Sequence, residues 1–262
     1  IYGSYQALDL CDEMQLYGIS PDSITFVCIL KVCGALGATH IGVKIHANKI
    51  VREELQKGNI FLGNALINMY AKCGAIQEAH EAFDQLPTRN VASWSTLFSG
   101  YVENGQCEEA LDLFEKMQLD DGIKPDVVSF VCILRACGII GALDKGEEIH
   151  SKICQMGLFV NNLSIGNAVV DMYAKCGEVK KAQEMFDQLS NPDSVSWSII
   201  IAGYMEHGHS KEALECFEEI QKQGFCIDAL TYVNVSKACG AIGDFRKGFK
   251  VHDEVIREGF LE

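Results

Sequence analysis

His252 and Glu254 stand as His-x-Glu, the spacing with which a zinc deaminase sets a metal ligand beside its general acid–base. That chemistry also needs a later Cys-x-x-Cys. None follows, and none occurs anywhere in the 262 residues. The twelve cysteines could offer nucleophiles, yet they recur at repeated places: Cys28 and Cys33, Cys132 and Cys137, Cys73 and Cys176. A disulfide scaffold is usually a short secreted chain. We therefore expect reduced, buried, apolar-like cysteines. His252 recurs too, as His46 and His150, which assigns all three to packing on second helices. No phosphate-binding loop of the P-loop type is present, and the many glycines read as helix punctuation. No residue set supports catalysis, a metal or a cofactor, so the chain is expected to be a recognition module rather than an enzyme.

What positions these recurring residues is a repeat. "GNALINMYAKCG" begins at Gly63 and "GNAVVDMYAKCG" at Gly166, with nine of twelve positions identical. "SWSTLFSGY" at Ser93 returns as "SWSIIIAGY" at Ser196. "TFVCILKVCG" at Thr25 returns at Ser129 and, as "TYVNVSKACG", at Thr231. Three kinds of unit therefore follow one another and the set recurs. Fixed-period self-similarity is the signature of a repeat architecture. The expected units are 1–22 (partial), 23–59, 60–90, 91–126, 127–162, 163–193, 194–228 and 229–262 (nearly complete).

Each unit has one grammar. A first amphipathic stretch, such as "VASWSTLFSGYVENG", ends at a glycine. A second follows, with Ala110, Leu111, Leu113, Phe114 and Met117 at helical spacing. Gly105 closes the first helix, and Glu108 and Glu109 suit the first turn of the next. Only four prolines interrupt the chain. Each unit is thus a helix–turn–helix hairpin that cannot bury its apolar face alone. Stacked hairpins can, which predicts an all-α chain, an α-solenoid. No apolar run reaches transmembrane length. The abrupt opening "IYGSYQALDL", with no leader, reads as a piece excised from something longer.

The chain carries "V-x-x-W-S-x-x-x-x-G-Y", then "EALDLFEKM", then "G-I-K-P-D", where a tetratricopeptide repeat has a different Trp and Leu-Gly pattern. This pattern resembles the pentatricopeptide repeat family over essentially the whole chain, and the three units resemble its standard, long and short variants. The mixed arrangement is similar to plant organellar RNA-editing factors, in which a cytidine deaminase-like domain often follows the repeats. The resemblance implies a right-handed superhelix that binds single-stranded RNA at about one base per repeat. It also implies a role in organellar transcript processing through C-to-U editing, location in the mitochondrion or chloroplast, and editing-complex proteins as partners. No membrane partner is expected.

In the family the fifth and last residues of each unit select the base. Carried over, the pairs are Asn64 with Asn90, Ser95 with Asp126, Asn167 with Asp193 and Ser198 with Asp228. The long units offer Val27 with Asn59, Val131 with Asn162, and Val233 without its partner; valine cannot hydrogen-bond, so these select weakly. Asp22 closes the partial unit. A carboxylate only accepts hydrogen bonds, which favours bases with a ring N–H, G and U; Asn also donates and so tolerates A and C. With the family's preference for purines at a fifth-position hydroxyl and pyrimidines at Asn, the expected core is 5′-Y-G-N-U-G-3′.

The second residue of each unit should flank the base: Ile24, Phe61, Val128, Val195 and Leu230, with Ala92 and Ser164 weaker. Lys72 and Lys175 hold the thirteenth position, which in the family reaches phosphate; Glu103 and Glu206 replace them in the standard units. Trp94 and Trp197, beside the selectors, should face the core. The net charge of −14 opposes a simple nucleic-acid binder. It would suit the rival reading, a protein-interaction scaffold of the tetratricopeptide kind. A solenoid separates its faces, however, so acidic outer helices are compatible with a usable groove of modest affinity and shallow salt dependence.

Overall fold

Each of the seven first helices begins directly after an Asp or Asn. Asp22 precedes α1 (Ser23–Leu36), Asn59 precedes α4 (Ile60–Lys72) and Asn90 precedes α6 (Val91–Glu103). Asp126 precedes α8 (Val127–Ile140) and Asn162 precedes α11 (Leu163–Lys175). Asp193 and Asp228 precede α13 (Ser194–Glu206) and α15 (Ala229–Ile242). In each case the side-chain oxygen accepts from the backbone amide three residues on, at 2.7–3.2 Å. This satisfies one of the amides that a helix start leaves unpaired, worth about 0.5–2 kcal/mol.

These helices alternate with second helices in a computed structural model that describes residues 13, 14, 17, 19–119 and 122–260. The expected partial unit 1–22 lies largely outside the described residues, as do Glu262 and the tip at 120–121. The second helices are α2 (Thr39–His46) with α3 (Lys49–Gln56), α5 (Ile76–Asp84), α7 (Cys107–Leu119) and α9 (Leu143–Gln155) with the one-turn α10 (Leu158–Asn161). They continue with α12 (Val179–Asp187), α14 (Ser210–Gln223) and α16 (Phe245–Arg257). All regular structure among the described residues is helical. Gly105, at φ +76°, ends the first hairpin turn of its unit as expected, because only glycine enters that left-handed conformation cheaply.

The uniform hairpin expectation needs one correction. In the first long unit the second helix is broken into α2 and α3. Asn48 turns extended there and its side chain accepts from the Ile50 amide. The second long unit has Lys152 at the matching place, paired to Glu148 at 2.7 Å, and its helix runs on unbroken to Gln155. Asn competes for backbone amides where Lys does not.

The contacts divide the chain into two compact bodies, 1–133 and 134–262. In the first, α4 packs on both α1 and α6, and an aromatic ladder runs Phe83–Trp94–Phe98–Phe114–Phe130 with ring centroids 4.6–6.1 Å apart. In the second, α11 packs on α13 and α13 on α15, and Phe186 meets Trp197 edge-on at 4.7 Å. Trp94 and Trp197 are both buried, as the sequence suggested. First helices approach closely: a Cβ on Gly100 would sit 2.7 Å from the Ala71 Cβ, and one on Gly203 2.7 Å from the Ala174 Cβ. The repeated words "MYAKCG" and "GY" are the two sides of that contact.

The histidine and cysteine expectations hold in part. His46 Nδ1 meets the Tyr70 hydroxyl and His150 Nδ1 the Tyr173 hydroxyl, each at 3.0 Å, while His252 is exposed. Cys33, Cys107, Cys137 and Cys239 are buried. Cys28, Cys154 and Cys226 are exposed, because they lie on the outward side of their helices or in the loop before α15.

Candidate nucleic-acid interface

The cap residues do more than start helices. Because each cap follows directly on the previous unit, its carboxylate or amide returns beside the fifth residue of that unit's first helix. Ser95 Oγ donates to Asp126 Oδ1 at 3.3 Å and meets Ser129 Oγ at 2.8 Å. Ser198 Oγ donates to the Ser194 carbonyl at 2.8 Å, lies 3.4 Å from Asp228 Oδ2 and receives Thr231 Oγ1 at 2.8 Å. Asn167 Oδ1 accepts Ser196 Oγ at 2.7 Å, while Ser196 also donates to Asp193. Burial pushes the Asp193 carboxyl upward, but bonds from the Ser196 amide and hydroxyl and from Asn167 outweigh it and hold the group below its usual range. The structure thus brings three of the four sequence-derived pairs together.

The fourth pair differs. Asn90 Oδ1 is taken up by the Ser93 amide and hydroxyl, and Asn64 Oδ1 is buried with no hydrogen-bond partner. An orphaned buried acceptor costs about 1–3 kcal/mol unless a donor arrives. Asn64 lines an open groove of about 470 Å³ with Val27, Lys31, Phe61, Ser95 and Asp126. Of the weaker positions, Val27 and Val131 are half-buried, Val233 is exposed, and Asn59 and Asn162 act as caps.

Ser95 and Asn167 are buried, which the sequence did not disclose. Their partners come from the following unit, so burial depends on a neighbour that no local pattern contains. Ser129, Ser196 and Thr231, the third residues of the following units, were missed as well. The D-x-x-S/T spacing, a capping-box pattern, was the signal available for them. At Asp193 and Ser196 the reciprocal box is complete.

The five flanking residues are all solvent-facing: Ile24, Phe61, Val128, Val195 and Leu230 are 54–84% exposed. Large apolar side chains so exposed at one register are the unusual feature, since a single exposed one would mean little. Lys72 is exposed. Lys175 is instead ion-paired with Asp171 at 2.7 Å.

Charge is divided unevenly between the two kinds of helix. Among first helices the charged residues are Lys31, Lys72, Glu103, Arg135, Asp171, Lys175, Glu206 and Lys237, a slight cationic excess. Acids crowd the second helices, as with Glu108, Glu109, Asp112 and Glu115 on α7. The caps Asp22, Asp126, Asp193 and Asp228 add carboxylates to the first-helix side. Among the described residues no group of His, Cys, Asp or Glu is arranged to hold a metal, and no helix is long and apolar enough to cross a membrane.

Hairpins repeated in this way define a helical repeat protein, an α-solenoid. Family models for the PPR repeat match residues 89–138 and 192–241, and again 64–91, 167–191 and 230–260. The chain belongs to the pentatricopeptide repeat family. It is 34% identical, over 97% of its length, to a chloroplastic pentatricopeptide repeat-containing protein of Arabidopsis thaliana, and it covers 29% of that protein. A second chloroplastic Arabidopsis relative is 37% identical over 89% of the chain, which covers 44% of it. The chain therefore spans well under half of these relatives. Its fold is shared, at TM-score 0.77, 23% identity and 98% coverage, with the pentatricopeptide repeat protein PPR10, crystallised in complex with an 18-nt psaJ RNA element; the match covers 38% of that protein.

Proposed function

We propose that this chain binds single-stranded RNA and reads it one base per repeat at the fifth-residue and cap pairs. The observation that carries the reading is the recurrence of one polar pair between exposed apolar flanks. Ser95 with Asp126, Asn167 with Asp193 and Ser198 with Asp228 are each held by hydrogen bonds beside the next helix start. Asp126 spends Oδ1 on the helix and on Ser95, and Oδ2 has no hydrogen bond to a described residue. That oxygen is an acceptor for a base ring N–H. Asn64 and Asn90 offer a donor and an unpartnered acceptor, which suits a pyrimidine with an exocyclic amine.

The target core is 5′-Y-G-N-U-G-3′, with Y most often C. The chloroplastic names of these relatives support a role in organellar transcript processing. The order of long, short and standard units supports site recognition for C-to-U editing, with editing-complex proteins as partners and the deaminase supplied elsewhere. Selection from a random single-stranded RNA pool tests this reading. Enrichment of the five-base core is expected, and G-to-A changes in the core should weaken binding in gel-shift competition. Retention of full affinity after both changes would overturn it, and no enrichment at low salt would favour a protein scaffold instead.

A further inference from the structure

The long units look idle by the logic of base selection, because valine occupies their fifth position. They are distinguished one turn later. The ninth residue is Lys31 in the first long unit, Arg135 in the second and Lys237 in the third. Four residues along a helix is the same face, so each cation stands beside its valine. The other units place Asn68, Ser99, Asp171 and Ala202 there, none of them basic.

Three further observations give this register meaning. All three cations are exposed, and none has a hydrogen-bond or ion-pair partner among the described residues. By contrast Lys49, Lys57, Lys152, Lys175, Lys181, Lys222 and Lys247 are each tied to a carboxylate. In the first body, where side chains frame an open groove, Lys31 lines it together with Asn64, Phe61, Ser95 and Asp126. A cation there cannot serve as a hydrogen-bond acceptor for a base, and both Lys and Arg fit the site. What Lys and Arg share is affinity for phosphate oxygens.

We infer that the long units hold the RNA chain by its phosphates rather than reading its bases, and that Lys31, Arg135 and Lys237 make those contacts. The assignment rests on the RNA-binding reading above. It divides labour within the repeat triplet: short and standard units select a base, and every long unit clamps the backbone between selections. This adds about one electrostatic contact per three nucleotides to that expected of exposed Lys72, which fits an acidic chain whose other cations are largely paired or on the second helices.

The test is a salt titration by fluorescence anisotropy on the full chain with an RNA carrying the core. Each phosphate contact to a single strand contributes about 0.7 to the slope of log K against log salt. The triple variant K31Q/R135Q/K237Q should therefore lower that slope by about 2, while the ratio of affinities for G and A at the core guanines stays unchanged. A control triple on second helices, K44Q/K116Q/K250Q, should leave the slope as it is; these lysines are exposed too. Superimposable melting curves confirm that neither triple perturbs the fold. A methylphosphonate linkage at the N position should weaken wild type and not the groove triple, and an abasic N should weaken neither.

If wild type shows no sequence preference, the RNA reading itself fails. If wild type discriminates bases yet the groove triple keeps the full slope, the phosphate assignment alone fails. Loss of base discrimination in the groove triple, or an equal loss of slope in the control triple, also overturns it.

Discussion

The two short units, 60–90 and 163–193, share nearly the same words and differ at places that the proposed reading assigns to RNA. In the first, Asn64 keeps a buried unpartnered oxygen, its cap is Asn90, and Lys72 is exposed without an ion pair. In the second, Asn167 is bonded to Ser196, its cap is Asp193, and Lys175 is tied to Asp171. What is conserved between the copies is the packing side. Met69 fills the space over Gly42 and Met172 that over Gly146, and Tyr70 and Tyr173 each meet a histidine. The outer side diverges again: His80 bonds Tyr101 at 2.6 Å in one, and Gln183 accepts from Tyr204 at 2.7 Å in the other. Identity of sequence here records what neighbours require, and on the proposed reading the departure at the cap, Asn90 against Asp193, is what RNA would meet.

The largest effect should show that the packing sides are equivalent. Met69→Ala and Met172→Ala should each cost about 2–5 kcal/mol, read from urea unfolding. A difference beyond that spread between copies would break the equivalence.

Next in size is the exchange of caps. Asn90→Asp gives the first short unit the pair of the second, and Asp193→Asn does the reverse. Each should move the preferred pyrimidine, C toward U and U toward C, by about tenfold in affinity, or about 1.4 kcal/mol. Melting temperature should barely change, because Asp and Asn cap about equally well. Binding competition with single-base RNA variants checks the first, and calorimetry the second.

A smaller effect is common to both copies. Burial holds His46 below the ordinary histidine range, with Arg52 adding to it and Gln85 and Glu81 opposing; burial and Lys181 do the same for His150, with Glu147 opposing. A histidine depressed in the folded state favours its neutral form there. Its stabilisation is present above about pH 6.5 and is lost as pH falls through the depressed folded value. Melting temperature should thus fall below about pH 6.5, and H46Q/H150Q should flatten that fall.

The smallest effect concerns the lysines. Asp171→Asn releases Lys175 and makes the second copy resemble the first. The salt slope for RNA binding should rise by at most about 0.7, while Asn68→Asp should lower it by a similar amount.

The hairpins and their starts were legible because helix initiation is a local matter: an Asp or Asn, then an apolar face, then a glycine. Trp94 and Trp197 were legible as core for the same reason, since they fall on the face opposite exposed Val195 and Ala92. The break at Asn48 was not, because the long unit was taken as one pattern while a single residue decides whether the helix continues. The burial of Ser95 and Asn167 was not legible either. Each is covered by side chains from the next unit, Ser129 and Ser196, and no window of one unit contains them. Cys28, Cys154 and Cys226 were misjudged for the opposite reason, since a recurring residue type was taken for a recurring depth.

The seven cap positions hold only Asp or Asn. If the proposed reading holds, a residue that must begin a helix and also address a base has a vocabulary of few letters, because most substitutions forfeit the helix start. Within those letters, though, change is almost free of folding consequence. A lineage carrying such repeats can therefore drift from one target to another by a single codon, without passing through an unstable ancestor. The tolerance sits in the joint between units, so each repeat can be retargeted while its neighbours keep their meaning.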